Sequence, residues 1–135
     1  MTDFRIAEIH YYMGNLEISE LIFNQMESPL YIKEGAQYYL GMIASQKKDS
    51  KKVQHIISQL RNFPEVLLDD NLRISSMHFG IGNEEKGFKY LDDFFGEPST
   101  QKLKFNYKKY IFLDKNFGKY NSIIGRNYFE QKNEN

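Results

Sequence analysis

The side chains best suited to metal binding or proton transfer in this chain are its three histidines, His10, His55 and His78. His10 and His78 are separated by twice 34 residues with Ala44 midway between them, and His55 is isolated from both. Histidines scattered in this way are more often packed and hydrogen-bonded within a fold than bound to a metal ion. The absence of cysteine excludes a disulfide or a thiolate metal site. The sequence therefore predicts neither a metal nor a cofactor.

Two further patterns resemble catalytic motifs but fail on spacing or context. The glycines within 79–82, followed by Gly87, have the wrong spacing for a phosphate-binding loop and follow a predicted helix instead of a strand. The acidic pairs at 69–70 and 92–93 are better explained as a helix start and a solvated surface. No nucleophile with a partner base emerges from the sequence. We therefore expect a protein that is not an enzyme.

The C-terminal part is basic and aromatic, which offers a different chemistry. Residues 1–100 contain 10 basic and 15 acidic residues, whereas residues 101–135 contain 8 and 3, although the formal net charge is zero. Positive side chains interleaved with rings can bind single-stranded nucleic acid through phosphate contacts and base stacking. A helix that covers the end of a helical array would show the same pattern, with charges outside and rings inside. The candidate polyanion patch consists of Lys102, Lys104, Lys108, Lys109, Lys115, Lys119 and Arg126.

The elements that position these residues follow from the only three prolines, Pro29, Pro64 and Pro98, which are 35 and 34 residues apart. Proline disfavours helix at the residue before it, so each one is expected to end a helix. A period in the mid-thirties is typical of a helical hairpin that is used repeatedly. The prolines therefore predict a repeat protein.

Three dipeptides coincide when the chain is aligned at a spacing of 34: Gly14-Asn15, Lys48-Asp49 and Gly82-Asn83. In such a turn glycine closes one helix in the left-handed conformation, and Asn or Asp begins the next helix. A left-handed lysine costs about 1 kcal/mol relative to glycine. We therefore expect the turn at Lys48 to be looser or slightly different.

Small and large residues also recur around these turns. Small residues that allow close helix crossings alternate with large apolar residues on one helical face. These columns resemble the tetratricopeptide repeat, a 34-residue helical hairpin with small residues near the middle of each helix, a Gly-Asp-like turn and a closing proline. The resemblance covers nearly the whole chain. It rests on Ala7, Gly14, Ser19, Phe23 and Pro29, on Gly41, Asp49, Ile57 and Pro64, and on Ser75, Gly82, Gly87, Leu91 and Pro98.

The resemblance implies one all-α domain over residues 1–135, a right-handed α-solenoid of helix-turn-helix hairpins. Its repeats are expected at about 1–33, 34–67 and 68–100, with a divergent capping pair at 101–135. The predicted helices are 3–13 and 16–27, 34–47 and 50–62, 70–80 and 84–95, and finally 102–114 and 117–131.

The fourth pair departs most from the repeat. Its turn is expected near Lys115-Asn116. Residues 102–107 alternate like a strand, but the repeat context favours helix. The stretch 113–117, together with Tyr128-Phe129, resembles the closing segment of some bacterial repeat arrays, in which an Asp-Pro-x-Phe motif precedes a last short helix. Here Lys115 replaces that proline.

In this family the first helix of each pair lines a concave groove that holds a peptide or a helix of a partner protein. The resemblance therefore implies an adaptor, scaffold or chaperone-like binder, and exposed end helices could also join two copies. Aromatic and methionine side chains suit an apolar or amphipathic segment. The same rings could instead pack between neighbouring helices. The candidate groove residues are Phe4, Glu8, Tyr11, Tyr12, Tyr38, Met42, Ser45, Gln46, Leu72, Ser76, Phe79, Asn106 and Tyr110.

The expected setting is the cytoplasm, without a membrane partner. Uncharged runs such as 38–44 are far shorter than a membrane span, and the N-terminal residues lead into amphipathic sequence instead of a secretory signal.

Overall fold

The computed structural model describes residues 2–60 and 70–130, and this part of the chain is all-helical. The helices over Asp3–Met13 and Asp70–Gly80 coincide with the predicted 3–13 and 70–80. The helices are α1 Asp3–Met13, α2 Leu16–Asn24, α3 Leu30–Gln46, α4 Ser50–Leu60, α5 Asp70–Gly80, α6 Glu84–Gly96 and α7 Pro98–Leu113, followed by a 3-10 helix Lys115–Tyr120, the short α8 Asn121–Ile124 and a π-helical turn Gly125–Phe129.

The three predicted turns share one geometry. Gly14, Lys48 and Gly82 all adopt the left-handed conformation, with φ of 85°, 63° and 83°. The N–H of the residue after each of them donates to a carbonyl five residues earlier, which is the bond that typically closes a helix at a left-handed residue. These bonds are Asn15 to His10 at 2.8 Å, Asp49 to Ala44 at 2.9 Å and Asn83 to His78 at 2.8 Å.

The expectation of a looser turn at Lys48 is therefore wrong. Lys48 occupies the left-handed position of the turn although it carries a Cβ atom, and its Nζ donates to the carbonyl oxygen of Gly80 at 2.5 Å. This contact places a positive charge at the C-terminal end of α5, where the helix dipole is negative. It offsets part of the cost of the left-handed backbone.

The two prolines within the described residues begin helices, and Pro98 also follows the end of α6 at Gly96, as predicted, with Glu97 already extended. Pro29 is the N-cap of α3, and Pro98 is the first residue of α7, where its missing N–H costs no hydrogen bond. The first helix of the second pair consequently starts at Leu30, earlier than predicted, and α2 ends at Asn24, before the predicted 27. Pro64 lies outside the described residues.

Close crossings within the first and third hairpins occur at the small residues identified from the sequence. Ser19 in α2 donates to the carbonyl of Ala7 in α1 at 2.8 Å, and Ser75 in α5 donates to the carbonyl of Gly87 in α6 at 2.7 Å. Between hairpins, α3 packs against both α2 and α5, and α6 packs against α7. The first helices of the second and third pairs therefore lie side by side.

The fourth pair differs from the prediction. Residues 102–107 are helical as expected, within α7, but the predicted turn near Lys115-Asn116 is the start of the 3-10 helix. Asp114 caps that helix by accepting from the N–H of Asn116 at 3.0 Å. A long second helix over 117–131 is replaced by the 3-10 helix, α8 and the π-helical turn.

Among the helices within residues 2–60 and 70–130, none combines the length and the apolar character needed to cross a membrane.

The buried side chains form two clusters, one centred on α1–α4 and the other on α5–α8.

Substitution of Lys48 tests the strain in its turn. Lys48→Gly and Lys48→Ala both remove the contact with Gly80, but only alanine keeps a Cβ atom at positive φ. We expect the alanine variant to be less stable than the glycine variant by about 1 kcal/mol in urea unfolding. Lys47 is the matched control, because its φ is −78° and glycine should be the less stable variant there. The same stability order at both positions would contradict a strained turn.

Candidate functional site

The helical face predicted as a groove is covered by the chain itself. Residues 114–120, here called the closing segment, lie against α3 and α5. They cover side chains that the sequence assigned to a partner, so the surface open to a partner is smaller than predicted. The buried members of the predicted groove are Tyr11, Tyr38, Met42, Ser45, Leu72, Ser76 and Phe79.

The closing segment is held first by the carboxylate of Asp114, which is buried. Its Oδ1 accepts from the hydroxyl of Tyr11 in α1, and its Oδ2 accepts from the hydroxyl of Ser76 in α5, both at 2.6 Å. The N–H of Asn116 donates to Oδ1 as well, at 3.0 Å. Both carboxylate oxygens therefore have donors, as a buried charge requires.

Asn116 adds a second link to the same helices. Its Nδ2 donates to the carbonyl of Met42 in α3 and to Ser76 Oγ, both at 3.1 Å, and reaches Tyr11 Oη at 3.4 Å. Asp114 and Asn116 thus connect the first helices of all three pairs through one network, which closes the centre of the predicted groove.

Aromatic packing continues the closure along α5. The ring of Phe79 lies 5.5 Å from Phe117 and 4.5 Å from Tyr120, and all three side chains are buried. The hydroxyl of Tyr120 donates to Glu84 at 3.0 Å. A Cβ atom on Gly80 would lie 1.9 Å from Ser45 Oγ and 2.6 Å from Asn116 Oδ1, so the segment fits closely only because residue 80 is glycine.

Burial sets the protonation of this network. Desolvation raises the pKa of Asp114 above its ordinary 3.8, against the opposing effect of its hydrogen bonds from Ser76, Tyr11 and Asn116. Burial, and then the charge of Asp114, raise the pKa of Tyr11 well above its ordinary value. Tyr11 is therefore a neutral donor at physiological pH.

The part of the predicted groove that remains open lies beside α1. A pocket of about 210 Å³ contains Arg5, Glu8, Tyr12 and Tyr110 from the surface and Met42 and Leu72 from the interior. The hydroxyl of Tyr39 donates to Glu8 at 2.6 Å, and Arg5 lies 3.4 Å from the same carboxylate. Burial raises the pKa of Tyr12 and of Tyr39 above that of an exposed tyrosine. The polar rim of this pocket thus consists of paired charges and neutral phenols.

A second cavity of about 360 Å³ shares Arg5, Glu8, Tyr12 and Tyr110 with this pocket and lies between α1 and α7. Large apolar side chains on its walls are exposed: Ile9 by 40%, Met13 by 64% and Leu113 by 55%. The rings of Tyr12 and Tyr110 lie 5.6 Å apart between the two helices. We call this cavity the α1–α7 groove, with the lining Arg5, Glu8, Ile9, Tyr12, Met13, Lys109, Tyr110 and Leu113.

The other predicted groove residues lie around these features without forming one surface. Phe4 is half-buried, with its ring 5.3 Å from Phe23. Tyr38 and Ser45 are internal, and Ser45 donates to the carbonyl of Met77 at 2.6 Å. Gln46 is half-buried and Asn106 is exposed.

The predicted polyanion patch is divided among several places. Lys109 belongs to the α1–α7 groove, whereas Lys115 and Lys119 line another cavity with Lys48. Lys104 and Lys108 lie over the ring of Phe129. Arg126 is exposed on the π-helical turn, and the side chain of Lys102 lies outside the described part.

The histidines do not come together. Nδ1 of His10 lies 3.2 Å from the side-chain amide of Asn15, and the buried ring of His78 stacks on Tyr90 at 5.5 Å. Within residues 2–60 and 70–130, no three His, Asp or Glu side chains are grouped as a metal site would require.

Asp114 and Asn116, which close the groove, were not among the predicted site residues. Their signal in the sequence was the resemblance of 113–117 to a closing segment, which places Asp114 immediately before the last short helices. Its contact with Tyr11 spans 103 residues of sequence, and local periodicity carries no information about such a pair.

No family model, curated protein or solved structure matches this chain.

Gly80→Ala should displace the closing segment, because the added methyl group overlaps Ser45 and Asn116. We expect a loss of about 1 to 3 kcal/mol in unfolding free energy and faster tryptic cleavage after Lys115 and Lys119. Gly96→Ala is the control, because nothing lies within 4 Å of its Cβ position and alanine favours helix. Unchanged cleavage in Gly80→Ala would contradict the close fit.

The pKa of Asp114 predicts a pH-dependent stability. A raised pKa in the folded state means that this carboxyl contributes stability fully below its unfolded pKa, 3.8, and loses it as the pH rises through the folded value. Asp114→Asn removes this titration. The difference in unfolding free energy between wild type and Asp114→Asn should therefore decrease with rising pH in urea titrations. A difference that increases with pH would show that the hydrogen bonds outweigh desolvation.

Proposed function

We propose that the protein is a non-enzymatic interaction module whose hairpins form a tetratricopeptide-like right-handed array. Two observations support the array: the turn geometry recurs at 34-residue spacing, and α3 packs side by side with α5. In this proposal the closing segment of the chain itself covers part of the concave face, where a partner would otherwise bind. A partner then binds where the face stays open.

The α1–α7 groove is the proposed binding site. The observation that carries this assignment is the exposure of Ile9, Met13 and Leu113 along one cavity. Exposed apolar side chains grouped in a cavity with a polar rim are typical of protein interaction sites. Tyr12 and Tyr110 add rigid aromatic surface between the two helices.

The charges of the groove define the partner further. Arg5 is paired with Glu8, whereas Lys109 lies over the ring of its neighbour Tyr110 and forms no ion pair within residues 2–60 and 70–130. A complementary partner therefore presents apolar side chains to Ile9, Met13 and Leu113 and a carboxylate to Lys109. An amphipathic helix or extended segment of another protein fits this description.

The experiment is site-specific photocrosslinking in the source organism. A photoreactive phenylalanine analogue replaces Met13, and mass spectrometry identifies the crosslinked peptide. We expect one amphipathic segment of a different protein, and its synthetic peptide should bind the purified chain. A crosslink to a second copy of this chain, or none above background, would overturn the proposal.

Leu113→Gln should weaken binding of that peptide by about tenfold or more, because it removes an exposed anchor from the groove. Leu30→Gln is the matched control, since Leu30 is 63% exposed and lies at the start of α3. Thermal unfolding of both variants verifies the fold, and fluorescence polarisation measures the affinity. Equal affinities of the two variants would place the binding site elsewhere.

A further inference from the structure

A second surface lies around the ring of Phe129. Lys104 and Lys108 are one turn apart on α7, and their Nζ atoms lie 5.7 Å and 5.6 Å from the centroid of this ring. Attraction to the π-system holds the two ammonium groups near each other despite their like charge. Neither lysine forms an ion pair with another residue in the described parts of the chain. The surface therefore carries two uncompensated positive charges at a fixed place.

Aromatic rings extend this surface. Phe105 is 68% exposed and its ring centroid lies 6.4 Å from that of Phe129, and the ring centroid of Phe112 lies 5.9 Å from that of Phe129. Three rings and two ammonium groups thus lie close together around Phe129. We call this surface the Phe129 face, and it consists of Lys104, Phe105, Lys108, Phe112 and Phe129.

We propose that the Phe129 face binds single-stranded nucleic acid. The polymer presents planar bases and phosphates in alternation, which matches the exposed ring of Phe105 beside two ammonium groups. Phosphates lie against Lys104 and Lys108, and a base stacks on Phe105. Stacking tolerates any base, so the site reads little sequence.

The composition of the surface favours this ligand over a membrane. A membrane-binding helix presents a continuous apolar strip with basic side chains beside it. Among the side chains of α7 that the structure describes, which are those from residue 104 onwards, the other large apolar one with high exposure is Leu113, two turns beyond Phe105 and in the lining of the α1–α7 groove. A single exposed phenylalanine suits stacking on a base better than insertion into lipid.

The proposed site uses only some of the basic residues in the C-terminal part. Lys109 lies in the α1–α7 groove, and Lys115 and Lys119 lie with Lys48 beside Gly80 and Gly82. Electrostatic binding through the whole basic part would involve all of them, whereas the proposed site depends on Lys104 and Lys108. This difference makes the proposal testable by substitution.

The probe is a fluorescein-labelled oligothymidine of about twelve nucleotides, which spans one site of this kind. Fluorescence anisotropy with the full chain at low salt should show saturable binding. The logarithm of the association constant should fall linearly with the logarithm of the salt concentration. No binding at low salt would overturn the proposal.

Two variants assign the binding to the Phe129 face. Phe105→Ala should weaken binding by about 5-fold to 150-fold, the range for loss of one stacked base. Lys104→Gln combined with Lys108→Gln should lower the salt slope by about 1.4, because each phosphate contact on a single strand contributes about 0.7. The control is Lys51→Gln with Lys52→Gln, an equal charge change at exposed positions of α4. Equal effects of the two lysine pairs would overturn the proposal.

Two competing ligands test the chemistry. Inorganic polyphosphate supplies charge without bases, and vesicles of phosphatidylserine and phosphatidylcholine supply an anionic lipid surface. We expect oligothymidine to bind more tightly than polyphosphate, with Phe105→Ala reducing only the binding of oligothymidine. Equal affinity for polyphosphate, or tight binding to vesicles in place of oligothymidine, would overturn the proposal.

Discussion

The buried carboxylate of Asp114 accepts hydrogen bonds from the hydroxyls of Tyr11 and Ser76 and from the backbone of Asn116. Removing such a charge from water costs several kcal/mol, and a hydrogen bond to a charged group returns about 1.5 to 3 kcal/mol. One donor is therefore insufficient, and three together offset only part of the cost, because desolvation still raises the pKa of Asp114. Because the donors come from α1, α5 and the closing segment, the carboxylate is stable only when all three are in place. The closing segment, α1 and α5 must therefore take up their positions together.

The local features of the fold were predictable because they depend on neighbouring residues. Gly14 and Gly82 mark turns, and α1 and α5 have the predicted bounds. Lys48 shows where this reasoning fails, since its left-handed turn is supported by a bond to Gly80, 32 residues away. Pro98 follows the end of α6, as predicted, but it also begins α7. The prediction missed this second role, because a proline that disfavours helix at the residue before it also suits the first position of the next helix.

The site was only partly predictable because a covered face and a binding face have the same sequence pattern. Met42, Ser76 and Phe79 lie on the faces of α3 and α5 that the 34-residue spacing indicates, and apolar or small residues suit either occupant. What distinguishes the two is the chemistry of Asp114 and Asn116, which meet these helices only in the folded chain. The separation of the basic residues into several places was also not predictable, because it too arises only in the folded chain. Lys108 and Lys109 are adjacent in sequence, but they lie on different faces of the helix α7.

The helix α7 contributes to both proposed binding surfaces. One side of this helix contributes Tyr110 and Leu113 to the groove with α1, and another carries Lys104 and Lys108 over Phe129. Its last residue, Leu113, is followed directly by Asp114, so the network that fixes the closing segment also fixes the end of α7 against α1 through Tyr11. We therefore expect the width of the α1–α7 groove to depend on this buried carboxylate, which is not among the residues that line the groove. Weakening that network should alter the groove without changing any side chain that lines it.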